Sequence, residues 1–61
     1  NPEIYNAVAL LFHDFEDYIE AKANYEKALS LDSQNINAHV DLGNVCFKLG
    51  EEARLLFVTF L

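Results

Sequence analysis

The sequence has no methionine, one cysteine, one proline and two glycines. A single cysteine excludes an internal disulfide. So little glycine and proline, beside 52% hydrophobic residues, argues against a disordered tail and against a fibrous repeat. Gly43 and Gly50 are too far apart to cradle a phosphate. Cations are scarce as well: Lys plus Arg number 4 against 10 Asp plus Glu, for a net charge of −6. Such a chain repels phosphates, so no nucleic acid partner is expected. It repels anionic lipid for the same reason. No run of eighteen apolar residues is present, so no membrane span is complete within the sequence, and no direct membrane contact is expected. Asn1-Pro2-Glu3 lacks the basic start and apolar stretch of a secretory signal. A lone cysteine without a signal points to a reducing, cytoplasmic compartment. The missing methionine fits a piece of a longer chain.

At 61 residues and 6.9 kDa the chain is one small unit. A chain of this size buries only about 60% of the surface its unfolded form exposes. With no disulfide, it needs a partner or close helix packing.

The apolar pattern is helical throughout. Ile4, Tyr5, Val8, Leu11, Phe12 and Phe15 form one stripe, which predicts a helix near 2–14 with Asn1 as its cap and Pro2 in its first turn. A tight acidic corner, Asp14-Phe15-Glu16-Asp17, follows without glycine. Tyr18, Ala21, Tyr25, Ala28 and Leu29 then predict a second helix over about 18–30. Its alanines at 21 and 28 are positions where another helix must come close. Lys22 and Glu26 can pair weakly across one turn. Ser30-Leu31-Asp32-Ser33-Gln34-Asn35 is a cluster of turn residues, with Asn35 as the next cap. Ala38, Leu42, Gly43, Val45, Cys46 and Leu49 share a face of a third helix. Gly50 is expected to end it in a left-handed conformation. Glu51 and Glu52 would then open a fourth helix over about 51–61. Short turns make neighbouring helices antiparallel.

The stripes also repeat. At an offset of 34, Val8 lies over Leu42, Ala9 over Gly43, Leu11 over Val45, Phe12 over Cys46 and Phe15 over Leu49, with the caps Asn1 and Asn35 in register. Beyond Gly50 an offset of 32 takes over: Glu20 over Glu52, Ala21 over Ala53, Lys22 over Arg54, Tyr25 over Phe57, Leu29 over Leu61. With Tyr5, Val8-Ala9 and Phe12, then Ala21, Tyr25 and Ala28, the first unit resembles the tetratricopeptide repeat family. Tyr25-Glu26-Lys27-Ala28-Leu29-Ser30-Leu31-Asp32 is close to that family's usual ending, and Ser33 stands where the family usually has proline. The second unit supplies His39, Leu42-Gly43 and Cys46, where His39 and Cys46 replace aromatics.

The resemblance implies an all-α fold of about four helices: antiparallel helix-turn-helix pairs stacked as an α-solenoid fragment. Repeat one covers about 2–35 and repeat two about 36–61. Each pair has an apolar face too broad to cover itself, and roughly three units are usually needed for stability. A neighbour is therefore expected: more of the array, a second copy or a target.

In function, the resemblance implies a scaffold that binds a protein or peptide partner in a groove lined by the first helix of each unit. The groove positions are Glu3, Asn6, Leu10, His13 and Asp14 in the first unit, and Asn37, Val40, Asn44, Phe47 and Lys48 in the second. Asn6, Leu10, His13, Val40, Asn44 and Phe47 are the candidate contacts. Leu10, Val40 and Phe47 are apolar residues off the buried stripes, which is how a partner surface reads. Asn44 fits a subclass that grips C-terminal carboxylates, but Val40 and Asn6 stand where that grip needs lysine, so no such clamp is expected. Neither cofactor nor catalysis is expected. His13-Asp14-Phe15-Glu16-Asp17 gathers oxygen and nitrogen groups, but His13 and Asp17 share a face only if the helix continues through the corner, so a solvated acidic turn is expected and no metal site. His39 is expected in or near the core, and Cys46 to be buried as a small apolar residue without a basic neighbour to activate it. The tail Leu55-Leu56-Phe57-Val58-Thr59-Phe60-Leu61 is apolar all round. It is expected to be buried on a further repeat or a second chain, which makes a homo-oligomer the alternative to peptide binding. A third reading is the non-catalytic arm of an enzyme.

Overall fold

The computed structural model describes the backbone of residues 1–60 and the side chains of residues 1–58. Expectations resting on the side chains of Thr59, Phe60 and Leu61 lie outside the described residues. Three helices are present, α1 (Pro2–Asp14), α2 (Tyr18–Leu31) and α3 (Ile36–Phe60), with no strand among the described residues.

The caps follow from side-chain chemistry. The Glu3 N–H donates to Asn1 Oδ1 at 2.9 Å, and Pro2 occupies the first turn, where its missing N–H leaves no bond unmade. At the far end of α1 the Asp17 N–H donates to the Phe12 carbonyl at 2.8 Å and the Glu16 N–H to the His13 carbonyl at 2.9 Å. These two bonds make a Schellman ending, which requires a left-handed residue between them. Glu16 takes that place with φ 62. Asp17 then caps α2, its carboxylate accepting from the Glu20 N–H at 3.4 Å. One acidic corner thus closes one helix and opens the next.

Asn35 caps α3 as expected, accepting the Ala38 N–H at 3.1 Å. His39 is exposed at the α2–α3 turn rather than in the core. Its Nε2 donates to the Ser33 carbonyl at 2.9 Å, so the ring holds the turn to the helix that follows.

Helix α1 packs along α2, and α2 along α3. The fully buried residues are Ala9 on α1, Ala21, Tyr25 and Ala28 on α2, and Ala38 and Val45 on α3. Alanine at four of these six positions lets backbones approach closely. Phe12, Tyr18, Leu42 and Leu49 pack around the centre formed by Ala9, Ala21, Tyr25 and Val45. Lys22 and Glu26 stand 4.0 Å apart on the exposed face of α2, a pair worth little in water. Ile4, Leu11 and Phe15 lie on the expected stripe of α1 yet remain exposed, Phe15 by 80%. Only α2 runs along α1, and one neighbour cannot cover so wide a face.

The second unit departs from expectation. Gly50 does not end a helix: no glycine has positive φ, and α3 continues for 25 residues. A glycine inside a helix costs about 1 kcal/mol relative to alanine. No proline follows it to enforce a stop, and Glu51-Glu52-Ala53-Arg54-Leu55-Leu56 are all strong helix formers. Lys48 and Glu51, 3.8 Å apart, span the glycine. The described residues therefore form three helices where four are expected. At about 1.5 Å per residue, α3 accounts for most of the 44 Å long axis, and its second half projects beyond the packed core. Cys46, expected to be buried, is exposed because no helix returns to cover it.

Candidate functional site

The six candidate contacts fall in two rows. Asn6, Leu10 and His13 recur at i, i+4 and i+7 on α1; Val40, Asn44 and Phe47 recur at the same spacing on α3. That spacing puts each row on one helical face. Leu10, Val40 and Phe47 are 50%, 57% and 67% exposed. Asn44 is exposed, whereas Asn6 and His13 are half-buried. The rows ride on helices that pack chiefly through α2.

Asn6 Oδ1 and His13 Nδ1 are both shielded from solvent and have no hydrogen-bond partner. A polar atom left unpaired in this way costs stability. The His13 ring also meets the Tyr18 ring edge-on at 5.6 Å between centroids. That contact fixes the imidazole against the start of α2.

Two open recesses mark the described surface. One, of about 210 Å³, lies between the α1–α2 corner and α3, lined by Glu16, Tyr18, Lys48, Glu51, Glu52 and Leu55. The other, of about 310 Å³, lies along α3 and is lined by Phe47, Gly50, Glu51 and Arg54. Of the six candidate contacts only Phe47 lines either recess. The recess at Gly50 escapes a sequence reading that ends the helix there. Its one signal was the run of helix formers after the glycine.

Tyr25 is the most perturbed polar group. Its side chain is fully buried and its hydroxyl has no partner. Burial pushes the hydroxyl pKa up from 10.0 to about 12, and the carboxylates of Asp41 and Asp14 add to the rise. This ring belongs to the core.

Helix α1 ends at Asp14, so His13 and Asp17 do not share a helical face. Among the described residues no group of three or more His, Cys, Asp or Glu is placed to hold a metal ion. Among the same residues no helix is long and apolar enough to cross a membrane.

No curated protein and no solved structure gives a significant match to the chain. A family model described as TPR repeat matches residues 9–50, about two-thirds of the sequence. The matched stretch carries the buried alanines and tyrosine of the α1–α2 pair and all of α3 up to Gly50. By that match and by its helix-turn-helix packing, the chain belongs to the TPR repeat family.

Proposed function

We propose that this chain is a protein-interaction module that holds an extended or helical peptide across α1 and the first half of α3. Repeats of this family generally mediate protein–protein interactions and are typically non-catalytic. The observation that carries the reading is the exposure of Leu10, Val40 and Phe47 on the first helix of each unit. Apolar side chains kept in water at matched positions are natural anchors for a partner. Asn6, His13 and Asn44 supply hydrogen bonds beside them. Asn44 is exposed, while Asn6 and His13 are half-buried and present only part of their side chains. The net charge of −6 favours a peptide carrying basic residues.

The test is selection of peptides by phage display on the immobilised chain, followed by calorimetric titration. Leu10→Ser and Asn44→Ala each weaken a selected peptide at least tenfold, with thermal midpoints within a few degrees of the parent. Selected peptides that bind both variants as tightly as the parent would place the contact elsewhere and refute the reading.

A further inference from the structure

Helix α3 carries a second seam that nothing covers. His39, Gly43, Cys46, Gly50, Ala53 and Phe57 recur at steps of 4, 3, 4, 3 and 4. This is the spacing of a coiled-coil core. All six are exposed. The seam lies about 90° round the helix from Ala38, Leu42, Val45 and Leu49, which face α2, at 100° per residue. No atom lies within 4 Å of a Cβ placed on Gly43 or Gly50, so the middle of the seam is open space.

In the first unit the matching residues Tyr5, Ala9 and Phe12 are half-buried or buried. Ala9 is fully buried and packs with Ala21 and Tyr25 of α2. The second unit has its own counterparts to that cover. Ala53 and Phe57 repeat Ala21 and Tyr25 at an offset of 32. Yet Phe57 is 66% exposed, and Leu56 and Val58 beside it are exposed as well. A helix suited to covering and a helix in need of cover are one straight rod. Gly43 and Ala53 lie about 15 Å apart along that rod, so the two halves cannot meet within one copy.

They can meet between two copies, because the seam is palindromic in size. Laid antiparallel on itself, it sets His39 opposite Phe57, Gly43 opposite Ala53 and Cys46 opposite Gly50. Rings meet at both ends, and small residues meet at the centre, where backbones must approach. The exposed surface is of the scale that a pair needs. A compact monomer of 6.9 kDa exposes about 4000 Å², whereas this elongated chain exposes 4584 Å². An excess of about 600 Å² on each copy is comparable with each partner's share of the smallest specific stable interfaces.

We infer that two copies of this chain pair through α3. The helices lie antiparallel, and residues 51–58 of each copy cover the His39, Gly43 and Cys46 face of the other. The two-fold axis passes between residues 46 and 50, so each copy gives and receives the same contacts. With −6 on each copy, the pair repels itself over a distance that salt shortens. Its association strengthens as salt rises, opposite to a contact driven by charge attraction.

The deciding experiment uses Gly43→Cys and Ala53→Cys together in a Cys46→Ser background, oxidised with oxidised glutathione and run without reductant. A disulfide requires Cα atoms within about 7 Å. The expected product is a covalent dimer of twice 6.9 kDa, absent when either new cysteine is present alone. A monomer with an internal disulfide would mean that α3 folds back on itself at Gly50, and would overturn the inference. Free thiols, or equal cross-linking by the single-cysteine chains, would overturn it too. Sedimentation equilibrium of the unmodified chain is the check that needs no substitution. The mass rises toward the dimer across a hundredfold range of concentration, and the dissociation constant falls several-fold between 50 and 500 mM salt. A monomer mass throughout refutes the pairing, and Phe57→Asp is expected to produce that result at least in part, with a tenfold or greater loss of affinity.

Discussion

Ala9 and Gly43 occupy the same position of successive units, and their surroundings are opposite. Ala9 is fully buried, packed with Ala21 and Tyr25 of α2. Gly43 faces open space, with no atom within 4 Å of where its Cβ would stand. The difference arises seven residues after Gly43. After α1 the chain turns at Glu16, and α2 returns along it. After Gly50 the chain keeps its helical course, so no described element returns along the second half of α3. One backbone decision thus determines which half of the molecule has a core and which half presents a surface.

That decision is testable at Gly50 itself. It has no positive φ, and a Cβ there meets nothing. Gly50→Ala therefore stabilises the chain by about 1 kcal/mol, the helix-interior preference of alanine over glycine. The helical circular-dichroism signal should grow with it. A left-handed cap at Gly50 would give the reverse, since alanine is strained there. Urea unfolding at the lowest workable concentration, where contact between copies does not enter, reads the sign directly.

Glu16 presents the mirror case. It is a non-glycine residue at φ 62, held there by the two bonds that close α1. Glycine takes this conformation without the Cβ penalty. Glu16→Gly is expected to stabilise the fold by about 0.5–1 kcal/mol, the strain relieved less the added freedom of the unfolded chain. Glu16→Val is expected to lose more than 1 kcal/mol, because a branched side chain resists this region most. Thermal melts of the two variants beside the parent check both signs.

Much of this architecture is legible in the residues alone. Asn1 and Asn35 mark helix starts because their short side chains reach backbone N–H groups that have no other partner. Ala21 and Ala28 announce a close helix contact because nothing larger fits between backbones. Gly50 was misleading for a physical reason. The same residue suits a left-handed cap and a tolerated helix interior, and what decides between them is the helix propensity of the residues after it. Cys46 and His39 lie exposed for the same reason, since their burial depends on a returning helix. The half-burial of Asn6 and His13 was illegible because it depends on how α1 meets its neighbours, which no spacing encodes.

The cap at Asn35 is open to a direct measurement. Its Oδ1 takes the Ala38 N–H at 3.1 Å, at the entry to the longest helix. Asn35→Ala leaves that donor without its partner and is expected to cost about 1 kcal/mol. Asn35→Asp or Asn35→Ser restores most of the loss, because either side chain accepts the same bond. An alanine variant that melts with the parent would mean that water or the Asn35 carbonyl bond to the His39 N–H, 3.1 Å long, suffices.

Tyr25 links the core to alkaline pH. Its hydroxyl titrates at about 12 in the folded chain against 10.0 for an ordinary tyrosine, first because it is buried and then because Asp41 and Asp14 oppose a further negative charge. Between those two values the folded state holds a proton that the unfolded state has released. Stability is therefore intact below pH 10 and falls as pH rises toward 12. Tyr25→Phe removes both the titrating group and a buried hydroxyl without a partner. The variant should match or exceed the parent at pH 7, because no hydrogen bond is lost. It should also lose the part of the decline between pH 10 and 12 that the parent owes to this residue. Tyr25→Ala, which empties one of the two largest fully buried sites, is expected to unfold most of the chain at room temperature through a cavity cost of about 3–5 kcal/mol. Urea titrations of parent and Tyr25→Phe at pH 7, 10 and 11.5 measure the effect. Equal slopes of stability against pH in the two chains would show that the Tyr25 proton plays no part in it.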